Sequence, residues 1–317
     1  MSDVGVRLCD GDDVVALASC GVGYVPDDDY VMVGLTGAST GAQVACLGCV
    51  PGSLDLDALV TALGYTRAQD SVEAVILVGF GATAVDLSVP GVFEVLDAGC
   101  PLVGVVQVRD GRWRWVEPGV DPEWGWCPVR TSEVAVVLPS PAPSREAMLG
   151  QVSAGAHPVP GLGAVPCTVA GRRVVEDQAL RLAVREAGPS APPVGEVAEV
   201  VWMVAQSVYM RDPFTARVLD LPDTQRQQVV QAVYAAVRHY RPDAELYGLA
   251  ALLAWTVDGN GALARYCAQR QQQLGARSGI GALITQALDQ GLPPSTWATV
   301  CADLTLDTLR GITTPRP

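Results

Sequence analysis

The stretch 73-EAVILVGFGATAVDLSVPGVFEVLDAGCPLVGVVQV-108 decides how the first half of this chain folds. Its opening residues, Glu73 to Phe80, form an almost unbroken apolar run rich in β-branched side chains, the pattern of a strand buried on both faces. Gly91 to Ala98 has the spacing of a short helix, and Leu102 to Val108 reads as a second strand. A strand, a helix and a strand in that order call for a right-handed crossover and a parallel pair. The turn Val78-Gly79-Phe80-Gly81-Ala82-Thr83 then falls at the carboxyl end of a parallel strand, where open α/β sheets hold ligands. It lacks the third glycine of a dinucleotide fingerprint, and the charged residue that follows is Asp86 rather than a cation. A tight strand-end turn is the simpler reading, and a nucleotide-binding loop is the functional one.

Upstream, Asp13 to Cys20 has helical spacing after a start signal at Asp12 and Asp13, and Tyr30 to Leu35 and Gln43 to Val50 are β-rich runs. Ser53 is placed to cap a helix over Leu54 to Leu63. Downstream, Val103 to Val108 alternates into Asp110-Gly111, a pair suited to a primed hairpin turn. Beyond it Arg112 and Arg114 alternate with Trp113 and Trp115, giving one cationic and one aromatic face. The simpler expectation packs Trp113 and Trp115 inward with the arginines on the wet side. The functional one takes the clustered Trp113, Trp115, Trp124 and Trp126 with Arg112, Arg114 and Arg130 as groups that can stack a flat ligand and clamp an anion, the ligand role falling to Arg112, Arg114 and Trp124.

A Pro-rich break at residues 139–144 leads into a short helix at Arg145 to Val152, and Gly and Pro between 153 and 171 read as a linker. From there to about residue 309 the periodicity is helical, with Pro213, Pro222, Pro242, Pro293 and Pro294 placed near helix starts. Ala244 to Trp255 and Gly261 to Gln273 form a helical hairpin with small residues for close contact, and Ile280 to Gln290 with Pro294 to Leu304 a second. The expected architecture is an α/β domain with a mixed, partly parallel sheet over residues 1–170. An all-α, tetratricopeptide-like helical-hairpin domain follows over 171–317.

Composition removes whole chemistries. All 21 basic residues are Arg, so a phosphate loop ending in Gly-Lys, a Schiff base and a Ser-Lys dyad are excluded. The only histidines, His157 and His239, stand far from any nucleophile elbow. The net charge of −13 lies entirely in residues 1–170, which hold seven Arg against twenty Asp and Glu, so nucleic-acid binding is not expected. The nine cysteines sit mostly in apolar runs, the start has no charged leader, and no run is long enough to span a bilayer. A cytoplasmic protein with reduced thiols, no cofactor, no metal and no membrane partner is expected.

Landmarks then accumulate in order: Gly23-Tyr24-Val25-Pro26-Asp27-Asp28, Val33-Gly34-Leu35, Ala74 to Val78, Val108-Arg109-Asp110-Gly111-Arg112-Trp113 and Cys127-Pro128. Pro143-Ser144-Arg145-Glu146, Arg211-Asp212, Leu252-Leu253-Ala254-Trp255 and Gly291-Leu292-Pro293-Pro294 through Trp297 continue the series. Taken colinearly they resemble an uncharacterised domain-of-unknown-function family of actinobacteria and their phages. The resemblance spans roughly residues 12–300 and implies a fold outline and a cytoplasmic setting, with no activity to carry over. Where that family tends to show more than one Cys after the tryptophans, this chain has Cys127 alone.

The remaining motifs have bland readings close at hand. Cys46 and Cys49 have the spacing of half a zinc site without a second half, and fit buried thiols on a strand. Asp10, Asp12, Asp13 and Asp27-Asp28-Asp29 miss the Gly and Glu positions of a calcium loop and fit helix caps and turns. Arg211 and Asp212 fit an ion pair in which Asp212 caps a helix opening at Pro213. The leading functional expectation is a non-catalytic binding or regulatory protein, its α/β half holding a ligand at Asp86, Arg112, Arg114 and Trp124, its helical half meeting a protein partner. A hydrolase using Asp86 or Asp28 with an Arg clamp is the alternative; a structural assembly component, self-associating as a homo-oligomer, is a third.

Overall fold

The computed structural model describes residues 10–37, 43–68, 72–87, 89–99, 102–116, 125–132, 140–161, 163, 165–184, 193–290, 292, 294, 296–297, 299 and 306–309. The chain divides into two compact units, Met1–Met148 and Leu149–Pro317.

The first unit is built on a mixed sheet. β1 (Asp29–Thr36), β2 (Gln43–Pro51), β3 (Ala74–Phe80), β4 (Leu102–Arg109), β5 (Arg112–Trp115) and β6 (Cys127–Pro128) lie in the order β2-β1-β3-β4-β5-β6. Only β3 and β4 run parallel; β1 is antiparallel to both of its neighbours, and β4-β5-β6 form an antiparallel run. Every residue of β3 is buried, as its apolar run requires. α2 (Leu56–Arg67) and α3 (Pro90–Gly99) pack together on one side, where Leu59, Leu63 and Leu96 join Tyr30, Met32, Leu77 and Val105 in a core. α1 (Gly11–Val22) packs against β2, β4 and β5, close enough to Trp113 that a Cβ at Gly11 would lie 2.3 Å from its ring. α4 (Arg145–Gly150) follows where a short helix was expected.

Two helix starts differ from expectation. α1 is capped by Asp10, whose carboxylate accepts from the Asp13 N–H at 3.1 Å, which leaves the Asp12 carboxylate to the hairpin and that of Asp13 to Ser132. α2 is capped by Asp55 rather than Ser53, at 2.9 Å from the Ala58 N–H. A carboxylate at an N-cap also faces the positive end of the helix dipole.

The second unit is helical: α5 (Val169–Ala183), α6 (Val194–Ala205), α7 (Val208–Leu219), α8 (Asp223–His239), α9 (Ala244–Thr256), α10 (Gly261–Gln273), α11 (Ile280–Asp289) and α12 (Leu306–Leu309). α9 is buried on all sides from Glu245 to Trp255 and packs against α6, α8, α10 and α11, as an all-round apolar helix must. The expected α9–α10 hairpin forms, with Gly248 so close to Gln271 and Ile280 that a Cβ would meet the Gln271 amide at 2.3 Å. The second half of the other expected hairpin, Pro294 to Leu304, falls largely outside the described residues.

The division falls between Met148 and Leu149, earlier in the chain than the boundary expected at residue 170. The intervening segment belongs to the helices: Gly155 N–H donates to Val237 O, His157 N–H to His239 O, and the Tyr247 hydroxyl to Val152 O. Pro213 is also misplaced by its sequence reading. α7 starts at Val208, after Ser207, so Asp212 and Pro213 lie within the helix, where buried Met210 and Phe214 set its register. The Arg211–Asp212 ion pair does form, at 2.8 Å, with Arg211 buried.

Candidate ligand-binding cleft

The hairpin of β4 and β5 is as its sequence implies. Asp110 and Gly111 have φ of 51° and 67°, and the two-residue turn opposes Arg109 to Arg112, Gln107 to Arg114 and Val106 to Trp115. Residues facing one another across a ladder share a face, so Gln107, Arg109, Arg112 and Arg114 line one side and Trp113 and Trp115 the other.

The expected burial of these faces is corrected. Trp113 does pack inward, against α1, with its indole N–H on Asp12 at 2.7 Å. Trp115, however, is 40 % exposed and covers Gly104 at the sheet surface. Arg114 is not on the wet side: it is 4 % exposed. Its face abuts the core layer that includes Val105, and Gln107 Oε1 accepts from both its Nε at 3.2 Å and its Nη2 at 2.7 Å. The guanidinium lies 5.0 Å from the ring centre of Trp126. Arg112 is exposed near the turn, and Trp124 lies outside the described residues.

These side chains border a cleft of about 310 Å³ lined by Gly81, Ala82, Thr83, Val85, Asp86, Gln107, Arg109, Arg114 and Trp126. It opens at the carboxyl ends of the parallel strands β3 and β4, the crevice position of open α/β sheets. The strand-end turn is fixed from below. Gly81 has φ of 65°, and the Ala82 N–H donates to Asp28 Oδ1 at 2.7 Å. Asp28 is thereby a turn-holding carboxylate.

Of the residues expected at a site, Asp86 and Arg114 come together in the cleft, and Arg112 stands on the same hairpin face as Arg114 but outside the cleft lining. Gln107 and Arg109 were not singled out; Thr83 was named only as part of the strand-end turn, and Trp126 only as one of the clustered tryptophans, not as the partner of Arg114. Gln107 and Arg109 were legible, because period-2 alternation through a two-residue turn places them on the face of Arg114 and Arg112. Trp126 depended on a pairing of β5 with the two-residue strand β6 that local sequence does not signal.

The acidic clusters serve the framework. Asp12 also accepts from the Arg130 N–H at 2.8 Å, and Asp13 from the Ser132 hydroxyl at 2.7 Å, tying α1 to the segment after β6. Asp29 and the Cys49 thiol both meet the Tyr24 hydroxyl, at 2.9 and 3.3 Å. Burial pushes the Cys49 thiol up to about 11, so it is protonated and unreactive near neutral pH. Among the described residues no three His, Cys, Asp or Glu side chains gather as a metal set, and no helix is long and apolar enough to cross a membrane. Comparison with protein-family models, curated proteins and solved structures finds no match for the chain.

Proposed function

We propose that this is a non-catalytic binding protein whose α/β unit holds a small molecule in the cleft at the ends of β3 and β4. The observation that carries the reading is the buried Arg114, clamped by Gln107 and stacked on Trp126, at the border of that cleft. A guanidinium fixed on two sides before any ligand arrives spends little ordering entropy on binding. The cleft volume lies at the small end of ligand sites. A hydrolytic role for Asp28 and Asp86 is less well supported, because Asp28 is engaged with the backbone of the strand-end turn.

In this reading the helical unit offers the surface for a protein partner. Support comes from exposed Val174, Val208 and Tyr209 on α5 and α7, with Arg172 lying 5.2 Å from the Tyr209 ring centre. The α9–α10 hairpin, held close by Gly248, supports a tetratricopeptide-like arrangement of the helices. The proposal sets the protein in the cytoplasm, beside the actinobacterial and phage family its motifs resemble.

The test is a ligand-observed NMR screen of a small-molecule library against the full chain and Trp126→Ala. Compounds that bind the natural chain and lose binding to the variant are expected. A library without one Trp126-dependent binder would overturn the proposal.

A further inference from the structure

The ligand class follows from charge placed where it works against folding. The first unit is strongly acidic, yet of the seven arginines in residues 1–170, four lie between positions 109 and 130. Three of them share one hairpin face. The ladder sets Arg109 directly opposite Arg112, with Arg114 two residues further along the same face. Like charges directly opposed across antiparallel strands destabilise the pair, and the neighbouring Asp110 offsets little, because its contact with Arg109 at 3.6 Å is 87 % exposed on the Asp side and 64 % on the Arg side. Arg114 adds a third charge that the fold holds nearly out of water.

A hairpin needs none of these charges to form, since Asp110 and Gly111 fix its turn and Trp113 anchors it to α1. Resting on the cleft reading above, we infer that the ligand is a small organic anion whose carboxylate or phosphate group is taken by Arg109 and Arg112. In that arrangement Arg114 supplies fixed charge behind it. An anion between two opposed guanidiniums turns their repulsion into two charge-assisted, forked contacts. The surrounding negative field keeps polyanions such as nucleic acid away, while a small anion is drawn in by the local cationic patch.

The experiment is calorimetric titration of the full chain at physiological salt with three probes: inorganic pyrophosphate, malonate and a neutral sugar. Arg109→Gln and Arg112→Gln serve as variants; both side chains are exposed, and circular dichroism checks their fold. Pyrophosphate or malonate is expected to bind and the sugar not to, with affinity falling at least about tenfold in either variant, the loss of one charge-assisted contact. The stronger of the two anions distinguishes a phosphate ligand from a carboxylate. Failure of both anions to bind, or binding unchanged in both variants, overturns the inference. Should Trp126-dependent binders from the NMR screen prove neutral or cationic, the anion assignment falls while the cleft reading stands.

Discussion

The indole N–H of Trp113 donates to Asp12 Oδ1 at 2.7 Å, joining the first turn of α1 to the centre of β5 across 101 residues of chain. The same carboxylate oxygen accepts from the Arg130 N–H, so one aspartate holds both the hairpin and the segment after β6. Trp113→Ala is expected to cost about 3–5 kcal/mol, the range for truncating a buried aromatic. Trp115→Ala is expected to cost only about 1–2 kcal/mol, in proportion to the smaller area that Trp115 buries over Gly104. Urea unfolding of the two variants checks the order, and a larger loss for Trp115 would reverse the assignment of the inner tryptophan.

Gly81 and Gly111 make a matched pair, with φ of 65° and 67°. A Cβ at Gly81 would lie 2.0 Å from Asp27 O and 2.3 Å from Asp28 Oδ1, whereas one at Gly111 meets nothing within 4 Å. Gly111→Ala should therefore cost about 1 kcal/mol, the left-handed backbone penalty alone. Gly81→Ala should cost at least about twice that, because the strand-end turn must also move. It should weaken Trp126-dependent ligand binding as well, which Gly111→Ala leaves intact. Equal unfolding midpoints for the two variants would show that the turn at the cleft is not tightly held.

What was legible in the sequence follows the range of the forces involved. Glu73 to Phe80 and the Asp110-Gly111 turn are decided by local pattern, and both form as read. The parallel β3–β4 pair follows from the helix between them. The burial of Arg114 and exposure of Trp115 were not legible, because alternation tells which residues share a face and not which face meets a layer of helices. Pro213 misled for a related reason: Asp before Pro is a strong local start signal, but burial of Met210 and Phe214 outweighs it and begins α7 at Val208. The cleft itself needed long-range pairing, since Trp126 reaches Arg114 only through β6.

Thiol reactivity should follow burial rather than spacing. Cys127 and Cys167 are exposed, Cys267 is buried with its thiol raised by that burial, and Cys49 is held as a thiol beside Tyr24. Among the cysteines of the described residues, limited alkylation at neutral pH followed by peptide mass mapping should find Cys127 and Cys167 modified first, with Cys49 and Cys267 protected until the chain unfolds. Early modification of Cys49 would contradict the Tyr24 contact.

The Tyr234 hydroxyl donates to Asp258 Oδ2 at 2.6 Å, binding α8 to the turn between α9 and α10. Burial raises the Asp258 carboxyl above its ordinary 3.8, outweighing the hydrogen bonds that favour its charged form. Because the folded state binds this proton more tightly than the unfolded one, the resulting stabilisation is fully present below pH 3.8 and is lost as pH rises through the raised value. Asp258→Asn keeps a carbonyl acceptor for Tyr234 and removes the ionisation. Relative to the natural chain, the variant should therefore gain stability as pH rises from about 4 to about 7. Urea unfolding of both proteins across that interval measures the difference. Parallel stability profiles would mean that Asp258 ionises in the fold as easily as in the unfolded chain, and a variant losing ground with rising pH would mean that the charge on Asp258 is what holds the turn.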